Sequence, residues 1–409
     1  MKLLKSLPFR LLLAMVLGVA VGLIANEATI NVVQSVRHLS AQVIFFAVPL
    51  IILGFVAPAI SRMGRRASRL LGLSVTVGYL SAVGAAALAA LVAYLVIPNL
   101  SLPQAGADLR ALPEMIFELN IPPILPTMSA LALALVIGLG VASTRARQLT
   151  DGLEEFHRIV LGLVRKVVIP VLPVFIAAVF AQLAFRGLLT EQLPIFALAV
   201  VAIIVIQLAW IVVLYLAVTP YSRRSPWQIV RHYGAPYLTA IGTQSSAATL
   251  GVAHEAASAS KVLDRKAVDF GVPLLAHMHM PGSTIAITFL ALTVSQVITG
   301  SLPGLGTIAL FVALLGVFAV SAPGVPGGTL MASLGLIGAV LGLDDVATGL
   351  MLAIFALQDS FGTATNIAAD GPLLGLLTRW RLSRRPGDDS PTEAPELVEP
   401  ERQLVGSTA

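Results

Sequence analysis

The chain contains no cysteine. That absence excludes disulfides, thiolate metal centres and cysteine nucleophiles. Charge is also scarce: 11% of the residues are Asp, Glu, Lys or Arg, against about 25% in soluble globular domains. A soluble surface cannot be assembled from so few ions. A third absence is local, since no lysine or arginine lies anywhere between positions 350 and 378. Apolar residues make up 57% of 409, and the mean hydropathy is +0.91. Several apolar runs reach the roughly 20 residues needed to cross a bilayer. The composition is that of an all-α membrane protein in contact with lipid.

The net charge of +5 does not mark a nucleic-acid partner. The basic residues cluster between apolar spans, as in Arg62, Arg65, Arg66 and Arg69, or Arg379, Arg381, Arg384 and Arg385. By the positive-inside rule these segments are cytoplasmic. The intervening segments carry fewer positive charges, which places both termini inside a multi-pass protein of the plasma (inner) membrane. The opening MKLLKSLPFRLLLAMVLGVAVGLIA has a basic start like a signal peptide. Its apolar run is longer than a signal core, so it is read as a retained first helix.

Six spans are expected near 8–25, 40–60, 70–97, 128–142, 159–184 and 193–219. After position 220 the pattern changes. Apolar stretches are broken by TQSSAATLG at 243–251, by HMHMPGST at 277–284, by SAPGVPGGT at 321–329 and by GTATNIAADGP at 362–372. Irregular backbone survives at membrane depth only where protein buries it or water lines it. Paired broken segments in two halves point to inverted repeats around a binding site. The pairs are 226–262 with 267–297, and 303–342 with 346–378. From 386 onward a proline-rich polar stretch reads as a disordered cytoplasmic tail.

The last span carries the sharpest signal. Asp359 and Asp370 are carboxylates at bilayer depth, where a charge costs about 2.5–3.5 kcal/mol on insertion scales. At about 100° per residue, Thr363 lies roughly 40° from Asp359, Asn366 roughly −20° and Asp370 roughly +20°. These four polar side chains form one narrow stripe, the wall of a site. Carboxylates suit an ammonium group or a hard cation, and an asparagine amide donates to a carboxylate. TQSSAATLG offers Ser245, Ser246 and backbone groups at a tip, although small residues also serve plain helix packing. GVPGG at 324–328 is a tight turn in which Pro326 sets φ and the glycines allow close approach.

Taken in order, SSAATL, HMPGST, GVPGG and DSFGTATNIAAD resemble the dicarboxylate/amino acid:cation symporter family, the glutamate-transporter fold, across roughly residues 8–378. The resemblance implies eight transmembrane helices plus two re-entrant helical hairpins related as inverted repeats. It implies a scaffold and oligomerisation region over 1–219, whose third and sixth helices can belong to the moving part. A transport core then spans 220–378, ahead of the tail at 379–409. It implies a homotrimer in membrane lipid, a small-molecule substrate, no organic cofactor, and a coupling cation that is sodium or a proton. Substrate contacts fall on Ser245, Ser246, Ser283, Val325, Pro326, Gly327, Asp359, Gly362, Thr363 and Asn366. Asp359 would take a substrate amine and Asn366 the α-carboxylate. Cation contacts fall on Asp370, with Asn366 and His279, and any metal is a sodium at Asp370.

The departures narrow the substrate. Members that carry acidic substrates place an arginine in the last span where this chain has Gly362, or at positions equivalent to Gln244 or Ser360. Without it, a second substrate carboxylate lacks its bidentate partner. The expected substrate is therefore a neutral amino acid. An acidic amino acid or dicarboxylate, admitted with a proton, is the alternative, and an uncoupled facilitator or channel on the same fold is a third reading. The family motif Asn-Met-Asp-Gly-Thr reads His279, Met280, Pro281, Gly282, Ser283 here, and a hydroxyl pair expected in the third span falls near Ala82 and Val83. At least one family cation position is thereby lost. His277 and His279 read as backbone-bonded histidines, as proton or substrate groups, or as metal ligands. The last is disfavoured because i and i+2 point some 200° apart on a helix. An intramembrane hydrolase finds no serine set beside a base along the sequence, so the chain is not read as an enzyme. A cysteine introduced at position 390 of this cysteine-free chain should resist an impermeant maleimide in intact cells. External labelling there would overturn the cytoplasmic C-terminus.

Overall fold

The computed structural model describes residues 7–65, 69–99, 112–113, 115, 119, 121–144, 146–187, 189–222, 225–322 and 326–382. Among these residues there is no strand. The helices are α1 (Leu7–Ile24), α2 (Glu27–Arg65), α3 (Arg69–Val96), α4 (Thr127–Thr144), α5 (Arg147–Leu163), α6 (Ile169–Phe185), α7 (Leu189–Ser222) and α8 (Trp227–Val230). They continue as α9 (Gly234–Thr243), α10 (Ser246–Ala259), α11 (Arg265–Met278), α12 (Pro281–Thr299), α13 (Leu305–Ser321), α14 (Gly328–Leu341) and α15 (Asp345–Leu382). A π-helical turn at Val164–Val168 joins α5 to α6.

Among the described residues, six stretches are long and apolar enough to cross a membrane. The outer faces agree with a lipid environment. On α7, Leu198, Val201, Val205, Leu208, Val212 and Leu216 are all exposed. Their three- and four-residue spacing draws one continuous outward stripe. A water-soluble protein rarely leaves so long an apolar stripe uncovered. The opposite face of α7 buries Ile203 and Ile206 together with one polar residue, Gln207.

The helix ends follow local chemistry. α2 begins at Glu27, well before the span expected near 40. The Asn26 carboxamide oxygen accepts from the Thr29 N–H at 2.9 Å, an N-cap that satisfies an otherwise orphaned donor. The helix thus extends past the apolar run that defined the expected span. Ser245 caps α10 by accepting from Ala248 N–H at 3.2 Å, and Asp264 caps α11 through Ala267 N–H at 3.0 Å.

α15 is the axis around which the polar part is built. It packs against α7, α9, α11 and α12, and α12 packs also on α3. The interruption expected at 362–372 does not occur, because α15 runs unbroken from Asp345 to Leu382. Pro372 has no N–H for the Ala368 carbonyl one turn earlier. That carbonyl instead accepts the Tyr215 hydroxyl of α7, in a long bond of 3.4 Å. A side chain from a neighbouring helix satisfies the backbone group that the proline frees. The other three breaks are present, at Gln244–Ser245 between α9 and α10, at His279–Met280 between α11 and α12, and between α13 and α14. Of the tail expected over 379–409, residues 379–382 form the end of α15, and the rest lies outside the described residues, as does Val325.

Tyr215 reaches α15 because position 371 is glycine: a Cβ there would lie 2.3 Å from the tyrosine oxygen. Gly371→Ala should therefore expel Tyr215 and lower stability by about 1–3 kcal/mol, the usual range for overpacking. Thermal unfolding of the purified variant measures this, and an unchanged melting temperature would contradict the packing.

Candidate functional site

The stripe on α15 faces inward. Asp359, Thr363, Asn366 and Asp370 are all buried. Three of them reach a helix break, Asp359 the one before α14 and Asn366 and Asp370 the one between α11 and α12. Asp359 Oδ2 accepts from the backbone N–H of Gly327 at 2.8 Å. Gly327 has φ 70° and caps the start of α14. The left-handed backbone there favours glycine, and the carboxylate sits at the positive end of a helix dipole.

Asn366 is turned toward the α11–α12 break. Its Oδ1 accepts from Gly282 N–H at 2.8 Å. Its Nδ2 donates to Ser283 Oγ at 3.2 Å and lies 3.3 Å from Met280 Sδ. Gly282 allows α12 to meet α15 at this depth, since a Cβ there would come within 2.3 Å of the Gly362 carbonyl oxygen.

Asp370 meets the third partner. His279 Nδ1 is 2.8 Å from Asp370 Oδ1, and His279 Nε2 is 2.8 Å from Ser81 Oγ on α3. The His279 side chain is 0% exposed and that of Asp370 5%. Nδ1 faces a carboxylate and therefore carries the hydrogen. The serine that sequence spacing kept apart from any base is thus beside one. The order Ser–His–Asp is that of hydrolytic triads, but Ser81 is buried and neither it nor His279 lines the cavity beside Asp359. His277 is separate and exposed, with Nδ1 2.9 Å from the Pro273 carbonyl.

The first tip closes on the same helix. Gln244 is the only non-glycine residue with positive φ among the described residues, at 51°. Its amide Nε2 donates to Ser360 Oγ at 2.7 Å. Ser246 is buried while Ser245 is partly exposed. Gln244 from one tip, Pro326 and Gly327 from the other, and Asp359, Met331 and Phe355 line a cavity of about 20 Å³. That is room for about one water molecule. Gly362 does not face this cavity. A Cβ at 362 would sit 3.4 Å from Gln207 Nε2 and 3.6 Å from Gln358 Oε1. Gln207 of α7 donates to the Gly282 carbonyl at 2.9 Å and to Gln358 Oε1 at 3.0 Å.

Ser81, Gln207 and Gln358 were not singled out by sequence. Gln207 had a signal, being a lone amide in the apolar run AIIVIQLAW, and polar residues at membrane depth are seldom idle. Ser81 had none, because one hydroxyl in a small-residue helix is ordinary.

An all-helical membrane protein with a buried carboxylate site closed by two helix tips is the class that fold and site define. Within it, the model of the "Sodium:dicarboxylate symporter family" matches residues 7–380, and the chain belongs to that family. Among relatives, it is 26% identical over 204 residues to excitatory amino acid transporter 1 of Ambystoma tigrinum, covering 49% of this chain and 36% of that protein. It is 26% identical over 215 residues to the Homo sapiens protein of the same name, covering 51% and 39%. Against excitatory amino acid transporter 2 of Mus musculus the identity is 25% over 273 residues, covering 64% and 46%. The matched stretches thus span less than half the length of each relative.

Proposed function

We propose that the chain is a secondary active transporter, a cation-coupled symporter of a small neutral amino acid. The architecture proposed with it has eight spans and two re-entrant hairpins as inverted repeats, with a first-half scaffold over 1–219 and a transport core over 220–378. Both termini are cytoplasmic in the inner membrane. Asp359 receives the substrate amine. Ser245, Ser246, Ser283, Val325, Pro326, Gly327, Gly362, Thr363 and Asn366 complete the substrate side, and Asp370, Asn366 and His279 form the cation side.

The observation that carries the neutral substrate is the Gln244–Ser360 hydrogen bond of 2.7 Å. Two of the positions where an arginine would pair a second carboxylate are two neutral side chains bonded to each other. The third, Gly362, is packed against neutral glutamines. A second carboxylate buried without a partner loses several kcal/mol, enough to remove useful affinity. The cavity at the two tips is too small for an amino acid, so substrate entry requires the tips to part. Opening breaks the Asp359–Gly327 bond, and the freed carboxylate then meets the amine. Asn366 must likewise release Ser283 or Met280 before its Nδ2 can donate to the substrate carboxylate.

The alternative is an acidic amino acid or dicarboxylate admitted with a proton and bound more tightly at acidic pH. Direct binding of serine, alanine, threonine, aspartate, glutamate and succinate near neutral and at acidic pH separates the two. Tight binding of the acidic compounds at neutral pH, with no response to the neutral ones, would sink the neutral reading. Asp359→Asn should weaken binding of the neutral amino acid roughly tenfold to over a hundredfold, the worth of a charge-assisted hydrogen bond of about 1.5–3 kcal/mol. The homotrimer, proposed from family membership, predicts trimeric mass in native mass spectrometry from mild detergent. Monomers alone would count against it.

A further inference from the structure

We infer that the cation position at Asp370 is filled by the chain itself: His279 stands where a sodium ion would bind, and Ser81 holds it there. The inference rests on the reading of the cation side given above and revises it, because it excludes sodium from Asp370. A hard cation needs several oxygen ligands free to converge on it. Two of the three side-chain oxygens expected to serve here, one from each residue, are already engaged by donors. Asp370 Oδ1 accepts from His279 at 2.8 Å, and Asn366 Oδ1 accepts from Gly282 N–H at 2.8 Å. An ion that took both of these oxygens would have to displace an imidazole N–H from one and a backbone N–H from the other. Each displaced donor would remain buried, His279 at 0% exposure and Gly282 in the buried first turn of α12.

The surroundings give His279 no room to withdraw. Its far nitrogen is fastened to Ser81 at 2.8 Å. Next to Ser81, Ala82 packs with Met280 and Ala319 in a buried apolar cluster. The Ala82 carbonyl is engaged by the Thr284 hydroxyl at 3.0 Å. Pro281 supplies no oxygen-bearing side chain where the family motif has aspartate. His279 is moreover the only lysine, arginine or histidine within ion-pair distance of Asp370 among the described residues. It therefore serves as the carboxylate's permanent partner, and Ser81 is a positioning residue that fixes the ring.

The full-length purified protein tests this without any substrate, so a wrong assignment of the transported molecule does not affect the result. Melting temperature is followed as sodium chloride replaces choline chloride at constant ionic strength. For the wild type, Asp370→Asn should leave the response to sodium as it was, whether that response is nil or comes from ligands elsewhere. His279→Asn, which removes the imidazole and restores an oxygen ligand, should gain a sodium-specific stabilisation that grows with the logarithm of concentration. His279→Gln serves the same purpose if the asparagine variant does not fold. A choline control removes any general effect of weakened packing, because a merely structural histidine would not create selectivity for sodium. A wild-type sodium shift that folded Asp370→Asn abolishes would overturn the inference. A folded His279→Asn or His279→Gln protein that gains no sodium response would overturn it as well.

Discussion

A carboxylate buried in an apolar slab has to meet a hydrogen-bond donor or a cation, and α15 carries two of them. Among the described residues neither finds a lysine or arginine. The structure meets this need with helix ends and a histidine. Gly327 N–H at the start of α14 serves Asp359, and His279 at the end of α11 serves Asp370. Between them Gly282 N–H in the first turn of α12 serves Asn366. The helix breaks of the second half are therefore not independent irregularities. They exist at the depths where α15 needs donors, because only a broken helix exposes backbone N–H groups inside a membrane.

The same constraint explains the glycines where α12 and α7 meet α15 and the one proline within it. Close approach of α12 requires glycine at 282, where a Cβ would strike the Gly362 carbonyl oxygen. The Tyr215 hydroxyl sits over Gly371 and bonds the carbonyl that Pro372 leaves without its helical donor. Each apparent defect in one helix is answered by a group on another. A lone substitution here therefore disturbs two elements at once, since the buried group left behind has no water to turn to.

Both tips converge on adjacent residues of α15, Gln244 on Ser360 and Gly327 on Asp359. A single turn of helix thus senses both. The strained φ of Gln244 is held by its amide bond to Ser360, in keeping with the tendency of unusual backbone to gather at functional positions. The neutral character of this turn bears on substrate charge, while the His279–Asp370 pair about three turns further along α15 bears on the ion. The two chemical questions are answered by different layers of one helix.

Much of this was legible before any coordinates. The stripe of Asp359, Thr363, Asn366 and Asp370 follows from helical periodicity, and the membrane setting from the scarcity of charge. Three of the four breaks follow from glycine, proline and hydroxyl clusters at 243–251, 277–284 and 321–329. The fourth did not materialise, because Pro372 was judged on its own helix while its remedy, Tyr215, lies on another. The same limit hid Ser81 and Gln207, which have no sequence neighbours that mark them. Sequence by itself determined what α15 must bury and on which face, since spacing along one helix is a local property. Only the tertiary structure decided which donor answers each acid, because that depends on the packing of helices far apart in the chain. His279 reaches Asp370 and Ser81 across 91 and 198 residues, and no periodicity runs that far.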